Sequence, residues 1–249
     1  MTAAALLVEA RRTGRRLPGL DPALLPGDER AAYAVQDAVI RLLGADVAGW
    51  KVGAASPEAL PSAAPLLAPL VRPSPAAFAV APDSLRGVEA ELALSLARDL
   101  PLRSTPYGED EAWDAVAAVH VAVELLDSRY LDRDRLPPAA ALADNLSNGG
   151  FAFGPPIAGG RSIDFRTARA SLSIDGREAK SAVGGNPAGH PSRLLAWLAN
   201  HAASRGRPLK AGDIVTTGSH TGLTIAPPCA RVVAVFAGLG EAVLSLAAP

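Results

Sequence analysis

The composition of this 249-residue chain is that of an ordinary globular protein, and it excludes several classes. Hydrophobic residues make up 49% of the sequence, charged residues make up 20%, and the formal net charge is −1. Disorder, a nucleic-acid footprint and a polybasic membrane patch are therefore not expected. No window reaches the roughly 18 uninterrupted apolar residues of a membrane helix, and the arginines of residues 1–20 follow the apolar residues instead of preceding them as in a secretion signal. The single cysteine, Cys229, excludes an intrachain disulfide and a multi-cysteine zinc site. We expect a cytoplasmic protein that binds neither nucleic acid nor membrane.

The beginning of the chain predicts two helices, one strand and a proline-rich crossover. Helical periodicity covers residues 3–16 and 27–43. Residues 47–53 predict a strand in which Lys51 is the one charged residue. Such a lysine is either a snorkelling surface residue or a cation held for an anionic ligand. Prolines recur so often over residues 54–82 that we expect an irregular crossover there.

The rest of the chain predicts a β-rich core. We divide the sequence into an N-terminal helical and proline-rich region, residues 1–80, and a metal-binding catalytic core, residues 81–249. Period-two alternation and turn signals predict the strands of this core, and amphipathic spacing predicts its helices. The predicted strands lie at 87–97, 118–126, 151–154, 168–174, 177–182, 230–236 and 241–246, and a further strand runs into a loop within residues 213–222. The predicted helices lie at 109–117 and 192–204. The Asp175-Gly176 pair predicts a hairpin turn with positive φ angles.

Two carboxylates stand two residues apart in the apolar stretch from Val88 to Leu94. In a strand, side chains at i and i+2 leave the sheet on the same face, so Glu89 and Glu91 point together. Like charges that close inside a buried sheet are unfavourable unless a cation neutralises them or one carboxylate takes a proton. A hard divalent ion bound through oxygens is the simplest remedy. The alternative is an edge strand with both glutamates in water.

The following predicted strand offers a third carboxylate. Alternation from Val119 to Leu126 places Glu124 on the face opposite the valines. His120 shares that face, but an isolated histidine in an alanine and valine stretch is more often packed or hydrogen-bonded, so it is left out of the ligand set. Three carboxylates suit Mg²⁺ or Mn²⁺, whereas zinc favours histidine or cysteine. A metal held this way binds a 2-oxo acid as a Lewis acid, and Lys51 pairs with the substrate carboxylate or moves a proton.

The order and wording of six motifs closely resemble the 2-keto-4-pentenoate hydratase and 4-oxalocrotonate decarboxylase family, part of the fumarylacetoacetate hydrolase superfamily. The motifs contain the lysine, the three glutamates and a hydroxyl-rich loop. They lie at residues 49–53, 88–91, 123–129, 143–150, 185–187 and 209–222. The resemblance spans nearly the whole chain, and together the motifs outweigh the reading of Glu89 and Glu91 as solvated residues.

The resemblance implies an α+β fold, with a mixed β-roll core of the fumarylacetoacetate hydrolase C-terminal-domain type and a small N-terminal helical region. It also implies a divalent metal, Mg²⁺ or Mn²⁺, on the residues that match Glu89, Glu91 and Glu124, with Lys51 as the catalytic residue at a small-molecule 2-oxo acid substrate. For the substrate-binding side chains we expect Ser219 and Thr221. Asp144 matches a family motif as well, although a loop-capping role is an equal alternative. A homo-oligomer is expected, and the resemblance also allows a complex with a sister hydratase or decarboxylase.

The chain departs from the family pattern after the lysine motif, where many members carry acidic residues. This sequence has no Asp or Glu between Glu58 and Asp83. Arg72 in that stretch is a candidate for holding a second substrate carboxylate. The leading expectation is a metal-dependent hydratase that converts a 2-hydroxy-2,4-dienoate into a 4-hydroxy-2-oxo acid in aromatic-compound degradation. The alternatives are a 4-oxalocrotonate-type decarboxylase and a catalytically silent partner subunit of that pathway.

Overall fold

Two mixed β-sheets form the core of the computed structural model, which describes residues 1–248. Its helices are α1 (Ala3–Thr13), α2 (Glu29–Leu43), α3 (Glu109–Trp113), α4 (Pro138–Ala143) and α5 (Pro191–Ser204). Its strands are β1 (Val47–Gly53), β2 (Ser62–Leu67), β3 (Val71–Pro73), β4 (Ala76–Ala79), β5 (Gly87–Leu96), β6 (Val116–Leu126), β7 (Asn148–Pro156), β8 (Arg169–Ile174), β9 (Arg177–Val183), β10 (Ile214–Ser219), β11 (Thr224–Ile225), β12 (Arg231–Phe236) and β13 (Gly240–Ala247). None of the helices in this part of the chain is long and apolar enough to cross a membrane.

The larger sheet has the strand order β2-β1-β10-β5-β6-β7-β3, and β11 adds to β5. The smaller sheet has the order β4-β13-β12-β8-β9. Strands β12 and β13 pack across β5, β6 and β7, so the main hydrophobic core lies between the sheets. The long strands β5 and β6 stand at the centre of the larger sheet, which fixes their positions from both sides. The expected α+β class, with a mixed β-sheet core, is confirmed.

The N-terminal helices form a second core together with a later helix. Asp28 caps α2 by accepting a hydrogen bond from the Ala31 amide at 2.7 Å. The buried Gln36 side chain of α2 donates to the carbonyl oxygens of Leu142 at 2.6 Å and of Ala63 at 3.2 Å. These bonds join α2 to α4 and β2, so the helical cluster takes elements from both sides of residue 80. The division into domains at that residue stays a prediction.

The expected irregular crossover over residues 54–82 is wrong, because β2, β3 and β4 lie within it. All three are edge strands: β2 and β3 end the larger sheet, and β4 ends the smaller one. Proline has no N–H group. The amides of a central strand donate to neighbours on both sides, whereas an edge strand has a neighbour on one side only, so a proline there need not remove a hydrogen bond. Pro65 accordingly lies within β2, opposite Trp50 of β1. The proline-containing segments therefore form strands, but only at the edges of the sheets.

A glycine permits the close pairing of β1 with β10. Gly49 lies opposite Ile214, and a Cβ atom added to Gly49 would stand 1.9 Å from the Ile214 carbonyl oxygen. We predict that Gly49→Ala lowers the free energy of unfolding by at least about 1–3 kcal/mol, because a backbone atom cannot yield as a side chain does. Chemical denaturation measures the loss.

The matched control for this substitution is Gly53→Ala at the end of the same strand, where an added Cβ meets nothing within 4 Å. This variant should unfold within about 0.5 kcal/mol of the parent protein. Equal stability of the two variants would contradict the close β1 to β10 pairing.

Candidate metal centre and active site

Three carboxylates meet on one face of the larger sheet. Glu89 lies directly opposite Glu124 in the antiparallel β5 to β6 ladder, and Glu91 follows two residues later on the same face. Ligand oxygens of the three side chains lie within 4.8 Å of one another. Glu91 and Glu124 are buried, and Glu89 is half-buried. The structure thus brings the sequence-predicted carboxylates together, and Glu89 does not lie in bulk water.

Lys51 joins this cluster from β1. The pairing of β1 with β10 places Lys51 opposite Thr216, on the face that carries the glutamates. Its Nζ donates to both carboxylate oxygens of Glu124, at 2.6 and 2.8 Å, and to the carbonyl oxygen of Leu146 at 3.2 Å. The Lys51 side chain is 13% exposed and that of Glu124 is 1% exposed. Lys51 is therefore a half-buried cation held by the cluster and not a snorkelling surface residue.

Two further side chains hold the glutamates; sequence reasoning counted Thr216 only as part of the hydroxyl-rich loop and gave Asn148 no role. Thr216 donates a hydrogen bond from Oγ1 to Glu91 Oε2. Asn148 donates from Nδ2 to Glu124 Oε1 at 2.9 Å. The hydroxyl-rich and amide-rich motifs that contain these residues were visible in the sequence, but the strand register that points them at the glutamates was not. Both residues fix carboxylate orientation in the way that partners of metal ligands do.

The loop that supplies the Leu146 carbonyl is strained. Asn145, Leu146 and Ser147 have φ angles of 53°, 49° and 60° in succession. Each residue in this left-handed region costs roughly 1–2 kcal/mol, so the surrounding contacts must hold the loop in place. Strain of this kind concentrates at ligand-binding and catalytic sites.

Asp144 anchors that loop. Its buried carboxylate accepts hydrogen bonds from the Arg129 amide at 3.0 Å, from the Arg129 guanidinium and from Ser128 Oγ at 3.3 Å. Arg129 in turn donates to the carbonyl oxygens of Asp144 and Asn148, both at 3.0 Å. These contacts support the loop-anchoring alternative for Asp144 over the expected contact with the substrate.

The position of Arg72 does not support its expected substrate role. Arg72 lies on the edge strand β3 opposite Ala152, and the ladder continues through Val123 to Ala90. These residues face away from the glutamates, because neighbours along a strand alternate between faces. The exposed guanidinium of Arg72 lies 4.8 Å from the ring centroid of Phe78 and donates to the carbonyl oxygens of Pro69 and Ala77.

The predicted hydroxyl residues lie beside the cluster. Ser219 is opposite Glu91, is half-buried and accepts a hydrogen bond from the Gly222 amide at 2.8 Å. Thr221 accepts from the amide of Ala90, the residue between Glu89 and Glu91, at 3.1 Å. Thr221 therefore fixes the backbone of β5 where β10 departs from regular pairing. Substrate contacts of Ser219 and Thr221 stay predictions.

His120 stays outside the cluster, as expected. Its ring nitrogens lie 2.9 Å from the Gly154 carbonyl oxygen and 3.0 Å from Ser95 Oγ.

Around the glutamates, the same face of the sheet presents buried apolar side chains, which lower the local dielectric. They are Leu66, Ala93, Ala122, Phe151 and Ile214.

The electrostatics of the cluster favour a cation. Burial, together with the charge of Glu124, raises the pKa of Glu89 to about 7, against the opposing charges of Lys51 and Arg133. Burial and the charges of Glu124 and Glu89 raise the pKa of Glu91 well above its ordinary value. The single ammonium of Lys51 thus does not compensate three carboxylates. An all-oxygen donor set of this charge fits Mg²⁺ or Mn²⁺.

Arg133 is a second cation near the cluster, and sequence reasoning missed it. It belongs to a single 3₁₀ turn, Arg133–Arg135, between β6 and α4. Its charge helps to lower the pKa of Glu89. Its Nε lies 3.4 Å from Asp134, while Nη1 is buried and makes no hydrogen bond with any residue of the described chain.

Comparisons with known proteins identify the family. The family model described as "Fumarylacetoacetate (FAA) hydrolase C-terminal" matches residues 63–245. The chain belongs to this family, and the resemblance noted in its sequence is confirmed. It is 32% identical to a 2-keto-4-pentenoate hydratase of Burkholderia vietnamiensis over 96% of this chain and 94% of the relative. It is 30% identical to a 4-oxalocrotonate decarboxylase of Pseudomonas putida over 51% of this chain and 49% of that relative.

A solved structure shares the complete fold. The 4-oxalocrotonate decarboxylase from Pseudomonas putida G7, complexed with magnesium and adipate, superimposes with a TM-score of 0.81. It covers 98% of this chain and 97% of the other at 23% identity. The expected β-roll fold type is confirmed. The magnesium of that structure agrees with the class of cofactor expected from the carboxylates.

The raised pKa values predict how the stability of the metal-free protein depends on pH. A folded-state pKa of about 7 at Glu89, against an ordinary value of 4.5, means that the folded state keeps a proton that the unfolded state releases. The free energy of unfolding should therefore fall as pH rises from about 4.5 to about 7. Mg²⁺ should restore stability above pH 7, because it binds the ionised carboxylates. Denaturation at a series of pH values, with chelator or with Mg²⁺, measures both effects.

Glu91→Gln tests the assignment of this pH dependence. The substitution removes one carboxyl group with a raised pKa, so the free energy of unfolding should fall less as pH rises. Mg²⁺ should also bind about tenfold more weakly or worse, because one ligand is lost. The control is Glu178→Gln on the exposed strand β9, which should leave both properties unchanged. A metal-free protein whose stability rises steadily from pH 4.5 to 7 would contradict the account.

Proposed function

We propose that this protein is a metal-dependent hydratase that adds water to a 2-hydroxy-2,4-dienoate and forms a 4-hydroxy-2-oxo acid in aromatic-compound degradation. The observation that carries the proposal is the buried cluster in which Lys51 contacts Glu124 beside Glu89 and Glu91. The relative that covers 96% of the chain, a 2-keto-4-pentenoate hydratase, supports this reaction.

Glu89, Glu91 and Glu124 are the residues that would hold Mg²⁺ or Mn²⁺. When bound, the cation supplies Lewis-acid polarisation of the 2-oxo acid group. The chain itself supplies orientation: Thr216 and Asn148 fix two of the three carboxylates by hydrogen bonds. The apolar side chains on the same face keep bulk water away and accept the hydrocarbon part of the substrate.

Lys51 is the residue to which we assign proton transfer. A 2-hydroxy-2,4-dienoate becomes a conjugated 2-oxo-3-enoate when the proton of the 2-hydroxyl leaves and a proton arrives at C5. Water then adds at C4, and its proton is delivered to C3. Lys51 acts at the 2-oxygen, where Glu124 and the Leu146 carbonyl of the strained loop fix its ammonium. The ammonium passes one proton to Glu124 and takes the 2-hydroxyl proton in its place.

Arg133 is our candidate for the substrate carboxylate, in place of Arg72. Its buried Nη1 makes no hydrogen bond within residues 1–248, and its charge acts on Glu89. A guanidinium presents paired donors that match a carboxylate. Ser219 stands opposite Glu91 and is the proposed hydroxyl contact.

A decarboxylase of a 2-oxo-enedioate is the second candidate. Lys51 lies opposite Ala64 of β2, and Leu66 is the next residue of β2 on that face. The strand beside the lysine thus contributes no carboxylate that could activate water. Decarboxylation of a 2-oxo-enedioate, which yields a dienolate and CO₂, needs no activated water. The decarboxylase relative of 30% identity supports this alternative.

Product analysis separates the two candidates. Mg²⁺ or Mn²⁺ is added to the protein with 2-hydroxypenta-2,4-dienoate or with 2-oxohex-3-enedioate, and the ultraviolet absorbance is followed. Metal-dependent formation of a 4-hydroxy-2-oxo acid supports the hydratase, and CO₂ supports the decarboxylase. Inactivity on both substrates with the metal bound would contradict both and leave the silent partner subunit.

We predict that Lys51→Met lowers kcat by about 10²–10⁴-fold, because it removes the proton-transfer group. Mg²⁺ should still bind, since the three carboxylates remain. Steady-state kinetics and calorimetric metal titration measure the two effects separately. Lys180→Met, on the exposed strand β9, is the control and should keep full activity. Loss of metal binding together with kcat would instead assign Lys51 a structural role.

We predict that Arg133→Met raises KM by about tenfold or more and changes kcat little, because it removes a charge-assisted contact made throughout the reaction. Arg135→Met is the control in the same turn. Its side chain is 88% exposed and pairs with Asp132 at 3.0 Å. An equal KM for the two variants would remove Arg133 from the substrate site.

The assembly and location of the protein stay predictions. We propose a homo-oligomer in the cytoplasm, with the complex with a sister enzyme as a further hypothesis. Sedimentation of the protein alone, and then with the sister enzyme, tests both.

A further inference from the structure

A second group of charges surrounds a cavity of about 160 Å³ between α1 and the segment that follows β6. Three arginines line it: Arg11, Arg16 and Arg129. Asp127 is the one acidic residue in its lining, and Gly149 forms part of its wall. The metal-centre residues Glu89, Glu91, Glu124 and Lys51 are not among its lining residues.

One of the three arginines around this cavity has no carboxylate partner. Arg16 pairs with Asp127 and lies 3.9 Å from the exposed Asp83. Arg129 pairs with Asp144. The side chains of Arg16 and Arg129 are only 8% and 6% exposed. In the described part of the chain, Arg11 has no carboxylate within ion-pair distance and makes no side-chain hydrogen bond.

The environment of Arg11 penalises its charge. Burial, and next the neighbouring charge of Arg129, lower the pKa of Arg11 to about 9 in spite of Asp144 and Asp127. Arg11 is half-buried, and a partly desolvated cation without a partner costs free energy that a bound anion would offset. The Arg11 guanidinium presents several donors in one plane, which is the geometry that carboxylates and phosphates accept.

We propose that this cavity binds a small oxyanion, a phosphate or a short carboxylate, between Arg11, Arg16 and Arg129. Its volume is roughly five times the ~30 Å³ that one water occupies in the liquid. This space, lined by three guanidinium groups, suits a phosphate or a short carboxylate. The proposal concerns a site separate from the metal centre and does not depend on the proposed reaction.

The anion site is connected to the metal centre through its wall. Arg129 donates to the carbonyl oxygen of Asn148 at 3.0 Å, and Asn148 donates to Glu124 at 2.9 Å. The wall is tightly packed, because a Cβ added to Gly149 would stand 2.6 Å from Cβ of Asp127. An anion that draws on Arg129 therefore acts on the loop that orients Glu124, and occupancy of the site should alter turnover.

Calorimetric titration of the Mg²⁺-loaded full-length protein with inorganic phosphate, at constant ionic strength, tests the proposal. We expect saturable binding to the parent protein, and about tenfold weaker binding or worse to Arg11→Gln, because a charge-assisted hydrogen bond is lost. Arg15→Gln, an exposed arginine four residues further on, is the matched control and should bind phosphate as the parent does. A parallel titration with acetate decides between the phosphate and the carboxylate as the better ligand.

Two results would overturn the proposal. One is equal phosphate affinity in Arg11→Gln and Arg15→Gln, or no saturable binding to the parent. The other is weaker self-association of Arg11→Gln in sedimentation, which would mean that a second copy of the chain supplies the carboxylate that pairs with Arg11. If Arg11→Gln does not fold, Arg11→Lys replaces it. This variant keeps the charge without the planar donors, and a midpoint of thermal unfolding raised by phosphate in the parent but not in Arg11→Lys supports the site, whereas an equal rise overturns it.

Discussion

The ion pair between Lys51 and Glu124 is the interaction on which the rest of the site depends. Three carboxylates whose ligand oxygens lie within 4.8 Å of one another are unfavourable in a buried sheet, and Lys51 places an ammonium in direct contact with one of them, Glu124. The pair also fixes the sheet, because Lys51 arrives from β1 and Glu124 from β6, with β10 and β5 between them. The half-buried lysine thus joins β1 to β6 across the two strands that lie between them. The negative charge of the carboxylates that Lys51 does not neutralise makes the cluster a candidate binding site for a divalent cation.

The contacts behind the cluster orient it. Thr216 and Asn148 direct individual carboxylate oxygens, and the loop at residues 145–147 keeps three successive residues in the left-handed region. Such a loop persists only where its surroundings hold it. Here the buried ion pair of Arg129 with Asp144 holds it, because Arg129 also donates to the carbonyl oxygens of Asp144 and Asn148 at the two ends of the loop. Arg129, which also lines the cavity beside α1, therefore supports the loop, and Asn148 at the end of the loop orients Glu124.

The sequence predicted the members of this site better than their connections. Strand periodicity alone placed Glu89 and Glu91 on one face and selected Glu124, because alternation is a local property. Register across strands is not local, so the hydrogen bonds of Thr216 and Asn148 had no sequence signal beyond polar motifs. Arg72 shows the same limit: it is close in sequence to the lysine motif, yet the pairing of β3 with β7 turns it to the other face of the sheet. The prolines of residues 54–82 indicated broken structure, whereas the fold uses them on edge strands.

Anomalous diffraction from crystals grown with Mn²⁺ tests the central claim most directly, because it locates the metal independently of activity. The account predicts one strong manganese peak in contact with carboxylate oxygens of Glu89, Glu91 and Glu124, with Lys51 beside it, and loss of that peak in Glu91→Gln. A peak elsewhere on the chain, or a parent protein whose glutamates stay paired with Lys51 alone at saturating Mn²⁺, would contradict it.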